Sequence, residues 1–392
     1  MPLSGAELQR YARHLVLPHV GREGQERLRG SSALVVGLGG LGSPAALYLA
    51  AAGVGRLGVL DFDTVAVHNL QRQVLHDTGA IGTPKTDSAR ARLEALNPHV
   101  KVETWQTTLT RGNARGIVAD YDVVLDGTDS FATRYLVNDA CVLEGRPNVH
   151  ASIHRFEGQL SVFGTKDGPC YRCLHPLPPP AGSVPDCAEG GVLGVLPGLL
   201  GTLQATEALK LLLGIGRSMA GRLLVVDTLT MAFREFAVER DGACTWCATR
   251  TSRELLEDYA AFCGAAESSV ATSPTSVAGA APPPAAAPAE IAPAALAMRL
   301  ARRDPILLLD VREEWEHTIV HLDGATLVPM AAIPARAASL DRALEVVVYC
   351  HHGTRSAMVA DYLRASGFPR VLNLTGGIDC WSREVDPSVP RY

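Results

Sequence analysis

The chain has no block of basic residues, no unbroken apolar run of membrane length and no internal repeat. The first absence, with a formal net charge of -5, removes the electrostatic case for nucleic acid. The longest apolar stretch, Val192 to Leu213, is interrupted by Pro197, Gln204, Glu207, Lys210 and several glycines, so it predicts a buried helix and no membrane span. The first thirty residues are polar and mixed in charge, unlike a signal peptide, which leads us to expect a cytoplasmic protein. A disulfide framework belongs to small secreted domains. In this chain of 392 residues the nine cysteines are therefore expected to be metal ligands, nucleophiles or core residues.

What is present is the composition of a folded chain, 47% hydrophobic and 20% charged. One shift interrupts it. From Ala265 to about Ala294 the sequence is Ala, Pro, Ser and Thr, including Pro282-Pro283-Pro284, and such a run reads as a semi-extended linker. The expected organisation is residues 1–264, a linker over 265–290, and a second domain over 291–392. In the first part, strand-like runs (Ala33–Val36, Arg56–Asp61, Val100–Glu103, Asp122–Leu125) alternate with helical ones (Ser43–Ala52, Lys85–Leu96), after a polar helical opening from Ser4 to Leu15. That alternation predicts an α/β fold with a mostly parallel sheet covered on both faces. The tail repeats it, with strands over Ile306–Asp310 and Val346–Cys350 and a helix over Arg355–Ser366.

The run Gly37-Leu38-Gly39-Gly40-Leu41-Gly42 lies between a strand and a helix. Its glycines permit a tight turn and close approach to phosphate, and the helix offers its N–H groups. Alone this fits NAD, with Asp61 on a ribose hydroxyl. The residues that follow favour ATP. Asn69, Arg72 and Lys85 supply an amide and two cations able to stabilise charge on a triphosphate. Asp129, at the end of another strand, suits Mg²⁺ held with the phosphates.

Together with Arg10-Tyr11-Ala12-Arg13, Asp61-Phe62-Asp63, Asn69 to Gln73, Thr128-Asp129, Phe156 to Gln159 and Cys170-Tyr171-Arg172-Cys173, these residues resemble a family of adenylating enzymes. It includes the bacterial molybdopterin-synthase and thiamine-pathway adenylyltransferases and, more distantly, ubiquitin-activating enzymes. The resemblance implies a Rossmann-like adenylation domain in which Gly40 and Asp61 bind the nucleotide, with Asp61 on the ribose; Gly37, Gly39, Gly42, Asn69 and Ser130 are expected to join them in binding ATP. It implies that Arg72 and Lys85 contact phosphates, that Asp129 holds Mg²⁺, and that Arg13 reaches the site of a neighbouring subunit in a homodimer. Ser130 stands where the family usually has Asn; a serine still donates a hydrogen bond.

Cys170 with Cys173, and Cys244 with Cys247, form two Cys-x-x-Cys pairs in loop-like sequence. A single pair suits redox chemistry; two suggest a closed tetrahedral Zn²⁺ site with a structural role. The family resemblance supports zinc there. Cys187 lies in a region where relatives have a cysteine with a covalent role toward the activated partner, and the sequence leaves open whether it acts or is an incidental loop thiol. Cys141, Cys263 and Cys380 show no chemical context and read as buried or incidental thiols.

In the tail, Cys350-His351-His352-Gly353-Thr354-Arg355-Ser356 follows a strand and opens a helix. Backbone N–H groups and a helix N-terminus stabilise an anionic sulfur, and Arg355 adds positive charge. With four residues between Cys350 and Arg355, the loop is one shorter than a cysteine phosphatase cradle. His351 and His352 are expected to point apart and to set loop shape and local charge. Leu309 to Glu313, His321 to Ala325 and Gly376 to Trp381 complete a resemblance to a small α/β rhodanese domain, implying a Cys350 persulfide. The combined expectation is ATP-dependent adenylation of the C-terminal carboxylate of a small ubiquitin-like sulfur-carrier protein, then sulfur transfer to give a thiocarboxylate. The sulfur donor would be thiosulfate or a cysteine-desulfurase persulfide. An NAD-dependent dehydrogenase with a rhodanese tail and a carrier-binding scaffold without activity are the alternatives.

Overall fold

The computed structural model describes residues 2–180, 191–264 and 290–391. They form two compact units, one on each side of residues 265–289. Cys187 and residues 265–289 of the expected linker fall outside the described residues, while Glu290, given to the linker, lies in a strand of the second unit.

The first unit is built on an eight-stranded sheet. Its strands are β1 (Ser32–Val36), β2 (Arg56–Leu60), β3 (Lys101–Trp105), β4 (Val123–Asp126), β5 (Asn148–His154), β6 (Glu157–Phe163), β7 (Arg222–Asp227) and β8 (Ala232–Ala237), in the order β3-β2-β1-β4-β5-β6-β7-β8. The pairings from β3 to β5 are parallel; those from β5 to β8 are antiparallel. Strand β1 is buried at every position, as expected where helices cover both faces. Leu34 and Val36 pack toward one core, Ala33 and Val35 toward the other. The helices Gly42–Ala52, Lys85–Leu96 and Val195–Leu213 lie on the second side. The last of these is the interrupted apolar run, and no helix of the described residues is long and apolar enough to cross a membrane.

Chain order reverses between β1 and β4, which opens a crevice at their carboxyl ends. Gln204 fixes this end of the sheet by donating from Nε2 to the carbonyls of Asp126 (2.7 Å) and Val149 (2.9 Å). The opening helical stretch is broken at Tyr11 into Gly5–Arg10 and Ala12–Leu15. The Tyr11 side chain is buried and accepts from Asn97 Nδ2 at 2.8 Å, so core packing overrides local periodicity.

The second unit has a five-stranded parallel sheet in the order β11-β10-β12-β13-β9, from β9 (Glu290–Ile291), β10 (Ile306–Asp310), β11 (Thr326–Leu327), β12 (Glu345–Tyr349) and β13 (Val371–Leu374). Helices on both faces bury the Leu309 and Val348 side with Val359 and Leu363, and the Leu308 and Val347 side with Leu296 and Ile378.

Candidate functional site

The crevice holds a cavity of about 430 Å³ lined by Gly37, Gly39, Gly40, Asp61, Arg72, Lys85, Asp129 and Ser130. The turn after β1 begins at Gly37, whose φ of +87° favours glycine. A Cβ on Gly42 would lie 1.8 Å from the Gly37 carbonyl oxygen, so Gly42 serves the turn itself and not the cavity wall. Asp61 braces the same turn. Its Oδ2 accepts from Leu38 N at 2.8 Å and its Oδ1 from Asp63 N at 2.9 Å. Lys85 Nζ stands 3.0 Å from Asp63 Oδ2 and 3.9 Å from Asp61 Oδ2. The Arg72 guanidinium donates to the His68 carbonyl at 3.0 Å.

Two expected site residues are not among those that line the cavity. Asn69 is buried outside the cavity lining, where its Oδ1 accepts from Ala66 N at 3.1 Å and closes a short turn. Arg13 is exposed on the helix Ala12–Leu15 and does not line the cavity of its own chain. Ser130, not Asp129, caps the helix Phe131–Glu144 by accepting from Thr133 N at 3.2 Å. Among the described residues Asp129 has no hydrogen-bond or ion-pair partner, so its carboxylate is left to the cavity.

Residues without a motif support these groups. His76 Nε2 donates to the Leu38 carbonyl at 3.2 Å, which leaves Nδ1 to accept from Ser88 Oγ at 2.9 Å. Burial holds its pKa below the ordinary histidine value, consistent with this neutral ring. Asp126 is fully buried; Oδ1 accepts from Thr128 N and Oγ1, and Oδ2 pairs with His150 Nδ1 at 2.8 Å. Burial pushes the Asp126 carboxyl up, but His150 and Thr128 outweigh it and hold it below the usual carboxylate range. This pair anchors the loop that carries Asp129. No repeat or spacing marks either residue in the sequence.

The sulfurs of Cys170, Cys173, Cys244 and Cys247 lie within 4.8 Å of one another. Sulfur separations of 3.9 Å (Cys170–Cys173), 3.7 Å (Cys170–Cys244) and 3.3 Å (Cys173–Cys247) approach the ~3.8 Å edge of a tetrahedron with metal–sulfur bonds of about 2.3 Å. Burial and the neighbouring sulfurs push the Cys170 thiol far up, so four thiolates here require a cation. Between two of the ligands, Arg172 pairs with Asp139 through bonds of 2.8 and 2.7 Å and lies against Tyr135, Trp246 and Phe262. The cluster is thus fastened to the helix that begins at Ser130.

In the second unit, buried Cys350 follows β12. Its Sγ accepts from Gly353 N at 3.1 Å and from Ser356 Oγ at 3.4 Å. Gly353, at φ +98°, turns the backbone so that its N–H faces the sulfur. Arg355 is not a lone positive charge: it forms a bidentate pair with Glu316, both bonds 2.7 Å. The histidines also correct the sequence reading. The rings of His351 and His352 stack 4.0 Å apart at 18° instead of diverging, because the bend that lets Gly353 reach the sulfur brings their side chains to one side. Burial and His352 push His351 down to about 4, so it is neutral near pH 7. Cys141 is buried, while Cys263 and Cys380 are half-buried.

Comparison with known proteins agrees with both units. The ThiF family model matches residues 11–246, and the rhodanese-like domain model matches residues 293–384. A probable adenylyltransferase/sulfurtransferase MoeZ from Mycobacterium tuberculosis is 43% identical over 397 aligned positions, covering 100% of this chain and 96% of the relative. The sulfur carrier protein adenylyltransferase of Thermus thermophilus is 54% identical, over 66% of this chain and 97% of its own length. The bovine adenylyltransferase and sulfurtransferase MOCS3 is 41% identical, covering 100% of this chain and 89% of the relative. Crystallised E. coli MccB shares the fold, with a TM-score of 0.55 at 19% identity over 62% of this chain and 75% of the other. The chain belongs to the ThiF family and joins its adenylation fold to a rhodanese-like domain.

Proposed function

We propose that this enzyme adenylates the C-terminal glycine carboxylate of a small ubiquitin-like sulfur-carrier protein and then delivers sulfur to it from Cys350. The observation that carries the reading is the crevice between β1 and β4, where Gly37, Gly39, Gly40, Asp61, Arg72, Lys85 and Asp129 surround one cavity. The carboxylate oxygen attacks the α-phosphorus of ATP, the bond to the β-phosphate bridging oxygen breaks, and pyrophosphate leaves. Asp61 holds the ribose, while Arg72 and Lys85 stabilise charge on the phosphates. Asp129 would hold Mg²⁺, whose charge offsets that of the leaving pyrophosphate. No side-chain nucleophile is needed, only alignment.

In the second stage the terminal sulfur of a Cys350 persulfide attacks the acyl carbon and AMP leaves, giving an acyl disulfide. The Cys187 thiol then attacks the Cys350 sulfur, freeing the carrier thiocarboxylate and leaving a Cys187–Cys350 disulfide for a cellular dithiol to reduce. Thiosulfate or a desulfurase persulfide reloads Cys350. The four-cysteine cluster would hold Zn²⁺ in a structural role, a reading its sulfur separations support. The exposed Arg13 serves the cavity of a second subunit in a homodimer. The working domains are residues 1–264 and 291–392, joined by 265–290, in a cytoplasmic protein.

ATP–pyrophosphate exchange tests the reading. Exchange should require a Gly-Gly-ended carrier and should be abolished by Lys85→Ala. Hydride transfer to NAD without exchange, or exchange unaffected by Lys85→Ala, contradicts it.

A further inference from the structure

The cavity wall carries a third cation to which the scheme above gives no role. Arg134 sits in the first turn of the helix Phe131–Glu144, just beyond Asp129 and the cap Ser130. Its Nε and one terminal nitrogen both donate to the Thr128 carbonyl at 3.3 Å, and its guanidinium lies 5.1 Å from the Phe131 ring centre. These contacts fix the plane of the group without neutralising it. No carboxylate lies within ion-pair distance of Arg134 among the described residues. Lys85, by contrast, is shared between Asp61 and Asp63. Asp126 feels the charge of Arg134 but is already paired with His150.

Position separates Arg134 from the other cations. The glycine turn and Asp61 follow β1 and β2 on one lip of the crevice. Arg72 belongs to that lip, since a Cβ on Gly40 would lie 3.5 Å from Arg72 Cγ. Arg134 follows β4 on the opposite lip, where Ile153 of β5 also lines the cavity. Beyond it runs the antiparallel half of the sheet, which leaves Phe233 and Phe236 of β8 half exposed.

Acyl adenylation brings two anions into one cavity. The triphosphate matches the glycine turn, the helix N-terminus and Arg72. The attacking carboxylate must approach an already negative phosphate, and a fixed cation on its own side lowers that repulsion. We infer that Arg134 binds the C-terminal carboxylate of the carrier and aligns it toward the α-phosphorus, which makes it a substrate-binding residue of the adenylation step. Thr128 takes two of its N–H groups and the Tyr171 hydroxyl engages the guanidinium as well; the N–H groups that remain hold one carboxylate oxygen while the other attacks. The inference rests on the adenylation reading above.

The test uses the full chain, a non-hydrolysable ATP analogue, and a ubiquitin-fold sulfur carrier ending in Gly-Gly, with its C-terminal amide as the blank. Arg134→Ala should keep affinity for the ATP analogue within about threefold of wild type while lowering kcat/KM for the carrier in pyrophosphate exchange by about 30- to 100-fold. Arg134→Lys, which keeps the charge but not the planar fork, should recover part of the loss. A parallel loss of ATP-analogue affinity makes Arg134 a phosphate ligand and overturns the inference. Unchanged carrier kinetics overturn it as well, as does equal loss in Arg134→Lys and Arg134→Ala accompanied by a lowered Tm. If wild type supports no carrier-dependent exchange, the adenylation reading itself falls, and this inference with it; normal wild-type exchange confines any failure to Arg134.

Discussion

The Leu38 N–H donates to Asp61 Oδ2 at 2.8 Å, so the carboxylate that follows β2 also holds the turn that follows β1. One side chain therefore shapes the glycine turn and presents its charge to the cavity. Replacing it by Ala removes the brace and the charge together. Asp61→Ala is expected to weaken binding of a non-hydrolysable ATP analogue by roughly 10- to 100-fold, the scale of one hydrogen bond to a charged group. Calorimetric titration measures this, and unchanged affinity would remove Asp61 from the site.

Two glycines of the same turn should respond differently to a methyl group. On Gly42 the added carbon meets the Gly37 carbonyl at 1.8 Å, and backbone must move. On Gly39 nothing is closer than Gln73 Nε2 at 3.8 Å, and the carbon enters the cavity lining. Gly42→Ala is expected to destabilise the fold by about 2 kcal/mol or more. Gly39→Ala should leave Tm near wild type and weaken the ATP analogue. Equal effects of the two on Tm would contradict this division.

How far the sequence disclosed this site depends on the kind of signal. Strand, glycine turn and helix follow from local periodicity, and the helix Lys85–Leu96 and strand Ile306–Asp310 have the expected bounds. Each Cys-x-x-Cys pair is a local geometry visible in the sequence, whereas the meeting of the two pairs, 74 residues apart, is set by the tertiary fold. Asp126, His150, His76 and Arg134 carry no local signal, since their partners come from other strands and loops. The stacking of His351 on His352 was hidden for the same reason: it depends on how the Cys350 loop bends. Asn69 is marked by its motif, but its bond to Ala66 N, which closes a short turn, was not legible there.

The Glu316–Arg355 pair sets a second expectation. Glu316 is 3% exposed, so removing Arg355 takes away its bidentate ion-pair partner and leaves a buried carboxylate with the weaker support of the Glu313 N–H and the more distant Arg312 charge. Burial raises its pKa, and the bonds from Arg355 lead the groups that bring it below the usual range. Arg355→Ala should destabilise the second unit by about 3–5 kcal/mol. Adding Glu316→Gln should recover much of that loss. Hydrogen exchange in β12 reports it, and additive losses would contradict the pairing.

A pH dependence follows from His351, which is 7% exposed and pushed down to about 4 by burial and by His352. The unfolded chain titrates this residue near its ordinary value of about 6.5. Above that pH both states are neutral and the full contribution is present. As pH falls, the unfolded state takes up the proton first, so stability declines until the folded ring titrates too. The second unit should lose up to about 3 kcal/mol between pH ~6.5 and ~4 from this residue. Hydrogen exchange should show a flatter profile in His351→Gln. Identical profiles would mean that His351 titrates normally in the folded protein.

The most direct measurement of the whole account is the intact mass of a Gly-Gly-ended carrier after incubation with this enzyme, ATP, thiosulfate and a dithiol. The account predicts exchange of one carboxylate oxygen for sulfur, with release of AMP and pyrophosphate. It predicts that Cys350→Ala stops the sulfur exchange while pyrophosphate exchange continues. A carrier of unchanged mass with wild-type enzyme, or sulfur incorporation that survives Cys350→Ala, would contradict it.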